Sequence, residues 1–290
     1  MAKKCAVGGQ AVIEGVLMKN DSKVAIAVRQ PNNKIHLKKQ RVIPWAKKWK
    51  FLGWPFVRGP VQLIEMLVIG MKALNYSANA SLGEEEEQIS DKYLALTAII
   101  AAIVAIALFK LLPLGVTSAL YRFKLIDNTI SFNLIDGVIR ITLFILYILA
   151  ISLMSDVKRL FQYHGAEHKA VHCYEDGKKL TVANVRKYTT VHPRCGTSFL
   201  FIVLIIAILV FSVVDIDLPF WLLFFYRIPL LIPISAIAYE VLKLTSRFKT
   251  NILMRIIMAP GSWIQKLTTK EPDKKQIEVA IKALNAVLGR

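Results

Sequence analysis

Between Tyr163 and Ser198 the chain reads YHGAEHKAVHCYEDGKKLTVANVRKYTTVHPRCGTS, a stretch that holds four of its five histidines and two of its three cysteines. His164 and His168 stand four apart, so on a helix both project from one side and can reach one ion. His172, four further on, drifts by about 40° per step around the cylinder and is marginal. With Glu167 between them the pattern is HGAEH, the H-x-x-E-H arrangement in which two histidines hold zinc and the glutamate takes a proton from the attacking water.

Such an ion needs further donors, and VHPRCGTSF supplies His192 and Cys195 three apart, with Pro193 stiffening the turn between them. Cys173, Glu175 and Glu240 are other candidates. Arg194, together with backbone N–H groups at Gly196, Thr197 and Ser198 where a helix begins, would orient an anionic or carbonyl group. In the simpler reading the histidines only cap and hydrogen-bond, and Glu167 pairs with Lys169 or Lys158. The clustering of so many donors in one polar stretch favours a metal.

The elements around this stretch are apolar. Of 290 residues, 55% are hydrophobic and the mean hydropathy is +0.47, which excludes an ordinary soluble domain and points to a membrane protein. Four runs are long enough to cross a bilayer as helix: 94–113, 133–154, 198–215 and 218–242. Lys and Arg number 13 over residues 1–60, 8 over 155–197 and 10 over 243–290, whereas the connections on the other side carry few. Both termini and the histidine loop are therefore expected on the cytoplasmic side, in a multi-pass arrangement.

The net charge of +18 follows this topology. It suits anionic lipid headgroups at the basic cytosolic face, and no specific nucleic-acid partner is expected. MAKKCAVGGQ has no apolar core after its lysines, so the amino terminus reads as retained and cytosolic. Cys5, Cys173 and Cys195 would then be thiols in a reducing compartment.

The expected fold is a mainly α-helical membrane protein of about four transmembrane helices, with a small N-terminal cytosolic β-rich unit and a C-terminal amphipathic helix. Residues 1–60 form the β-rich unit, with AVIEGVLM, KVAIAV and IHL as strands. The unit ends in an interfacial anchor where Trp45, Trp49 and Trp54 interleave with Lys47, Lys48 and Lys50. Residues 61–93 form an amphipathic helix over 61–76, too polar to span, and an acidic linker, Glu84 to Glu87. A transmembrane hairpin occupies 94–154, and its second helix is expected to run on without a break into the His/Cys loop of 155–197. A second hairpin fills 198–242. In the segment 243–290, Pro272 and Asp273 start a helix whose stripe is Ile277, Ala280, Ile281, Leu284 and Leu288.

Three features lie outside the loop. Arg227, inside the fourth run, must face protein and is expected to pair with Asp215 or Asp136. Glu240, at the cytoplasmic end of the same run, is placed to enter the site. Gly8, Gly9 and Gln10 spell GGQ, a tripeptide also found in translation release factors. Here a glycine pair that admits close backbone approach accounts for it, bringing Glu14 near the site.

Taken together, GGQAVIEGVLMK, the pair Arg58 and Gly59, YHGAEHKAVHCYE, LTVANVR, HPRCGTSF, the pair Tyr239 and Glu240, and TTKEPDKKQIEVAIKAL span nearly the whole chain. In these motifs it resembles the YqhQ-like family of bacterial integral membrane proteins, which are described as predicted metal-dependent enzymes. The family's motif positions His164, Glu167, His168, His192, Arg194 and Cys195 are all present. The expectation is a zinc-dependent hydrolase acting on a membrane-associated peptide or lipid-linked substrate. His164, His168, His192, Cys195 and Glu240 would supply the metal shell, Glu167 the general base and Arg194 the orienting charge. The alternatives are a transporter or metal-handling protein, with Arg227, Asp136, Asp215 and Glu240 along its path, and a regulatory membrane protein stapled by a structural metal.

Overall fold

The computed structural model of the chain describes residues 7–82, 90–214, 216–248 and 251–290. Cys5, the run Glu84 to Glu87 and Asp215 lie outside the described residues. Strands β1 (Val7–Val12), β2 (Gly15–Asn20), β3 (Lys23–Arg29) and β4 (Ile35–Arg41) form an antiparallel sheet in chain order. The helices are α1 (Trp45–Lys48), α2 (Arg58–Leu82), α3 (Asp91–Ile106), α4 (Leu112–Arg122), α5 (Thr129–Ile151), α6 (Ser155–Glu175), α7 (Val182–Val185), α8 (Gly196–Phe211), α9 (Phe220–Tyr226), α10 (Leu231–Arg247), α11 (Ile252–Thr268) and α12 (Lys274–Leu288).

The expected β-rich unit is present, with one more strand than its apolar runs suggest. AVIEGVLM is split by a two-residue turn at Ile13 and Glu14, so that Val12 pairs with Gly15. Glu14 takes a left-handed conformation, φ 51°. Its carboxylate is held by Arg159 and by the Tyr163 hydroxyl at 3.1 Å, so contacts from α6 hold a turn that local propensity does not announce.

Both faces of the sheet are covered. Val16, Met18, Ala25 and Ala27 face α6 and α12, packing on Tyr163, Ala166, Ala170, Ile277, Ala280 and Leu284. Leu17, Val24, Ile26 and Val28 face α2 at Ile69 and Ala73. A sheet buried on both sides needs apolar residues at every position, which is why KVAIAV shows no alternation. The helix α12 starts with a capping box between Asp273 and Gln276 and ends at Gly289 in the left-handed region, φ 77°. Its buried stripe is Ile277, Ala280, Ala283, Leu284 and Val287, close to the expected one, with Ile281 and Leu288 at its margin.

The long helix α2 sets one side against the sheet and turns an apolar stripe outward. Glu65 is buried and pairs with Lys19 of β2 at 3.3 Å, while Leu63, Ile64, Leu67, Val68 and Met71 are exposed. Glu65 thus shares the sheet-facing side with Ile69 and Ala73 while Gln62 and Lys72 stay exposed, and the helix extends to Leu82, past residue 76.

Among the described residues, two helical stretches are long and apolar enough to cross a membrane: Lys92–Arg122 and Thr129–Ile151. The pair Phe220–Tyr226 and Leu231–Thr245, bent by 42°, makes a third if counted as one span. The helix α8 is apolar but only 16 residues long. This set is compatible with a membrane protein. Ile99, Ile100, Ile103 and Val104 are each more than half exposed, as surfaces meant for lipid would be. The first stretch continues past Pro113 because the helix widens to a π turn over Ala107–Leu111, which accommodates the missing proline N–H.

The expected continuous helix from 133 into the histidine loop is interrupted. The helix α5 ends at Ile151, where Ser152 donates its hydroxyl to the Leu149 carbonyl, and Met154 turns to extended backbone before α6 begins. A further helix, α11, fills much of 243–290; it packs Met258 against Phe199 and Ile202 of α8 and Ala238 of α10.

Candidate metal centre

Along α6, His164 and His168 lie on one side with ring centroids 4.4 Å apart. His164 Nδ1 hydrogen-bonds the Thr268 carbonyl at 2.9 Å, and His168 Nδ1 the Thr190 carbonyl at 2.5 Å. Each ring is thereby fixed with Nε2 turned away from its carbonyl, the outer-shell support typical of metal-ligating histidines. Cys195 Sγ stands 3.3 Å from His164 Nε2, and ligand atoms of His164, His168 and Cys195 all lie within 4.8 Å of one another. The donor chemistry fits zinc: two imidazoles and a thiol, buried or nearly so, at mutual distances one ion can bridge.

The thiol is placed by the start of α8, where Cys195 is the N-cap residue and hydrogen-bonds Thr197 Oγ1 at 3.1 Å. Cys195 and Cys173 are both free and buried. The approach to α6 of the segment that follows α11 depends on Gly165, where an added Cβ would lie 2.2 Å from the Lys270 carbonyl oxygen. That close passage sets the Thr268 carbonyl beside His164.

Glu167 is only 5% exposed, and its Oε2 lies 3.4 Å from His168 Nε2. Burial pushes its carboxyl up to about 7, against the pull of His164 and Arg194. Lys169 is committed elsewhere, to Glu271 and the Arg186 carbonyl, so it does not neutralise Glu167. The strand β1 lies against this carboxylate: a Cβ on Gly9 would stand 2.7 Å from Glu167 Cγ and Oε1. The GGQ glycine thus admits Glu167, while Glu14 serves Arg159 and Tyr163.

His192 and Arg194 lie in the turn before α8. The His192 ring is 5.6 Å from that of His168 and 4.5 Å from that of His172. Its ligand atom gathers with those of His172 and Glu175, again within 4.8 Å, so the structure groups His192 with this second set. His192 Nδ1 accepts from the Arg194 backbone N–H at 3.2 Å, and burial pushes its imidazole down to about 4. Arg194 reaches Glu175 and the Val7 carbonyl, which accepts at 3.4 Å. Burial raises the Glu175 carboxyl, but the facing His192 and the Arg194 charge outweigh it and hold the group down to about 2.

Glu240 is not brought to either group. It receives Arg58 Nε at 2.8 Å and Nη2 at 2.5 Å, an ion pair between α10 and the start of α2. Arg227 is 1% exposed and donates to Asn133 Oδ1 at 2.6 Å and Asp136 Oδ2 at 3.4 Å, so of the two expected partners Asp136 is met.

Sequence reasoning missed Gln265, Thr190 and Thr268, which position the ligands. Gln265 is fully buried on α11, and its signal was a polar residue beside Met258 and Ile264 on that helix.

Residues 54–290 match the family described as Protein of unknown function (DUF1385). The chain is 34% identical over 298 residues to Uncharacterized protein YqhQ of Bacillus subtilis (strain 168), an alignment covering 98% of this chain and 92% of that protein. No solved structure matches.

Proposed function

The chain belongs to the DUF1385 family, and we propose that it is a membrane-embedded, metal-dependent hydrolase whose zinc is held by His164, His168 and Cys195. The observation that carries this reading is the donor count. Among the described residues three side chains converge, where a structural zinc site presents four, and a three-residue set that leaves a position for water or substrate suits a site that does chemistry. Bound there, zinc would act as Lewis acid toward a carbonyl or phosphoryl group.

The chain's own residues complete the site. Glu167, buried beside the His168 ring, accepts the proton of the attacking water. Arg194, about one-third exposed at the rim, orients the anionic or carbonyl end of the substrate. The Thr268 and Thr190 carbonyls keep both imidazoles aimed at the ion.

In this reading the protein is multi-pass in the bacterial cytoplasmic membrane, with α8 as a fourth, short crossing and both termini cytoplasmic. The Lys and Arg surplus in 1–60, 155–197 and 243–290 supports that orientation. The substrate is a peptide or lipid-linked molecule reached from the membrane surface. The exposed Trp45, Trp49 and Trp54 and the apolar outer face of α2 suit the headgroup layer, with anionic lipid against the neighbouring lysines.

The test is the zinc content of detergent-purified protein, wild type beside the double variant His164→Ala/His168→Ala. Near-stoichiometric zinc in wild type and none in a monodisperse variant is the expected result. A wild type that stays metal-free after zinc loading overturns the reading. Hydrolysis of peptide and lipid-linked panels should then fall by about 10²–10⁴ in Glu167→Gln with zinc retained. Unchanged turnover in that variant removes Glu167 as base.

A further inference from the structure

The second group of donors is not needed for the first ion, and its geometry asks for an ion of its own. Resting on the zinc reading above, we propose that His172, Glu175 and His192 bind a second divalent cation beside the first, making the centre dinuclear.

Two independent observations carry this. The ligand atoms of His172, Glu175 and His192 lie within 4.8 Å of one another, a set of two imidazoles and one carboxylate. Separately, His192 is 4% exposed and its Nε2 is buried with no hydrogen-bond partner among the described residues. The Nδ1 of the same ring already accepts from the Arg194 N–H at 3.2 Å, so in the neutral imidazole the proton sits on Nε2. Glu175 Oε2 lies 3.6 Å from this nitrogen, beyond a hydrogen bond. A buried ring nitrogen left without a partner is unfavourable, and a cation at Nε2 would pair it, the ring proton moving to Nδ1 and the Arg194 N–H giving up its contact there.

The surroundings support the same role. His172 Nε2 bonds the Val191 carbonyl at 2.8 Å, and the ring stacks on Tyr188 with an interplanar angle of 5°. Arg194 holds the other oxygen of Glu175, as the outer-shell partner of a ligating carboxylate does. The His168 and His192 rings, 5.6 Å apart, form the wall between the two groups. With nitrogen and oxygen donors and no sulfur, the second site takes a borderline cation such as zinc, cobalt or manganese, while Cys195 gives the first site its preference for zinc.

Cobalt(II) titration of the metal-stripped, full-length protein in detergent separates the sites, because only the first has a thiolate to give a charge-transfer band. Wild type should bind two cobalt ions per chain and show the band of one thiolate. Glu175→Gln, or His172→Ala if that variant misfolds, should bind one ion with the band unchanged. Cys195→Ser should lose the band and keep the other ion. Saturation of wild type at one ion with the full band overturns the second site and leaves the first standing, with Arg194, Glu175 and His192 as a hydrogen-bonded network only. One ion without the band supports the second site and sinks the first. Two ions still bound in Glu175→Gln and His172→Ala refute the ligand assignment.

Discussion

Gln265 holds both backbone groups of His192: its Oε1 accepts the His192 N–H at 2.8 Å, and its Nε2 donates to the His192 carbonyl at 3.0 Å and to Ser198 Oγ at 2.6 Å. One amide from α11 thus ties the turn before α8 to α8 itself. Both sets of candidate ligands hang on that turn, His192 within it and Cys195 at its end.

Gln265→Leu should therefore do two things. Unpaired buried backbone groups at His192 should lower stability by about 2–3 kcal/mol. Loss of outer-shell order should weaken zinc binding by about 10–100-fold. Thermal unfolding and chelator competition measure the two effects, and an unchanged zinc affinity would show that Gln265 serves the fold alone.

The adjacent glycines of GGQ should respond oppositely to alanine. A Cβ on Gly8 meets nothing within 4 Å, whereas one on Gly9 lies 2.7 Å from Glu167 and from the Leu17 carbonyl oxygen. Gly8→Ala should stay within about 0.5 kcal/mol of wild type. Gly9→Ala should cost about 1–3 kcal/mol and displace Glu167. Equal melting temperatures for the two variants would contradict the contact between β1 and α6.

Asp136→Ala leaves Arg227 buried without its carboxylate and should destabilise the chain by about 3–5 kcal/mol. The ring of Phe211, 4.8 Å from the guanidinium, cannot replace that charge. Zinc content per folded chain should be unchanged, since neither residue touches a ligand. Zinc flux into proteoliposomes that Arg227→Ala abolishes and Glu167→Gln spares would instead favour a transport role for this pair.

Glu240→Gln should leave zinc content at the wild-type level, because Arg58 occupies its carboxylate. With both side chains 21% exposed, losing the pair should cost about 1 kcal/mol or less. A fall in bound zinc would place Glu240 in the shell after all.

Added zinc should raise the melting temperature of the metal-stripped wild type, by the equivalent of about 2.7 kcal/mol at a free concentration one hundred times Kd. The double variant His164→Ala/His168→Ala should not respond. A parallel rise in both proteins would mean that zinc acts elsewhere on the chain.

The sequence by itself determined the elements whose signals are local. The four-apart spacing of His164 and His168 needed only a helix to put them on one side, and α6 provides it. Pro272 and Asp273 marked the start of α12, and the long apolar runs marked the candidate spans, since composition alone decides whether a helix suits lipid. Cys195 was recognisable because HPRC precedes an apolar run that had to begin as a helix.

What only the tertiary structure decided depends on which segments meet. His192 and Cys195 are three apart, yet they join different groups, because the turn between them is clasped by Gln265, 73 positions after His192. The break at Ser152, the buried Glu65 and the hairpin at Glu14 follow from hydrogen bonds and ion pairs, two of the three made to distant segments. Glu240 looked available from its place along the chain, and Arg58, 182 residues away, takes it. Periodicity records which side of an element is apolar; it carries no information about the partner that will cover a charge.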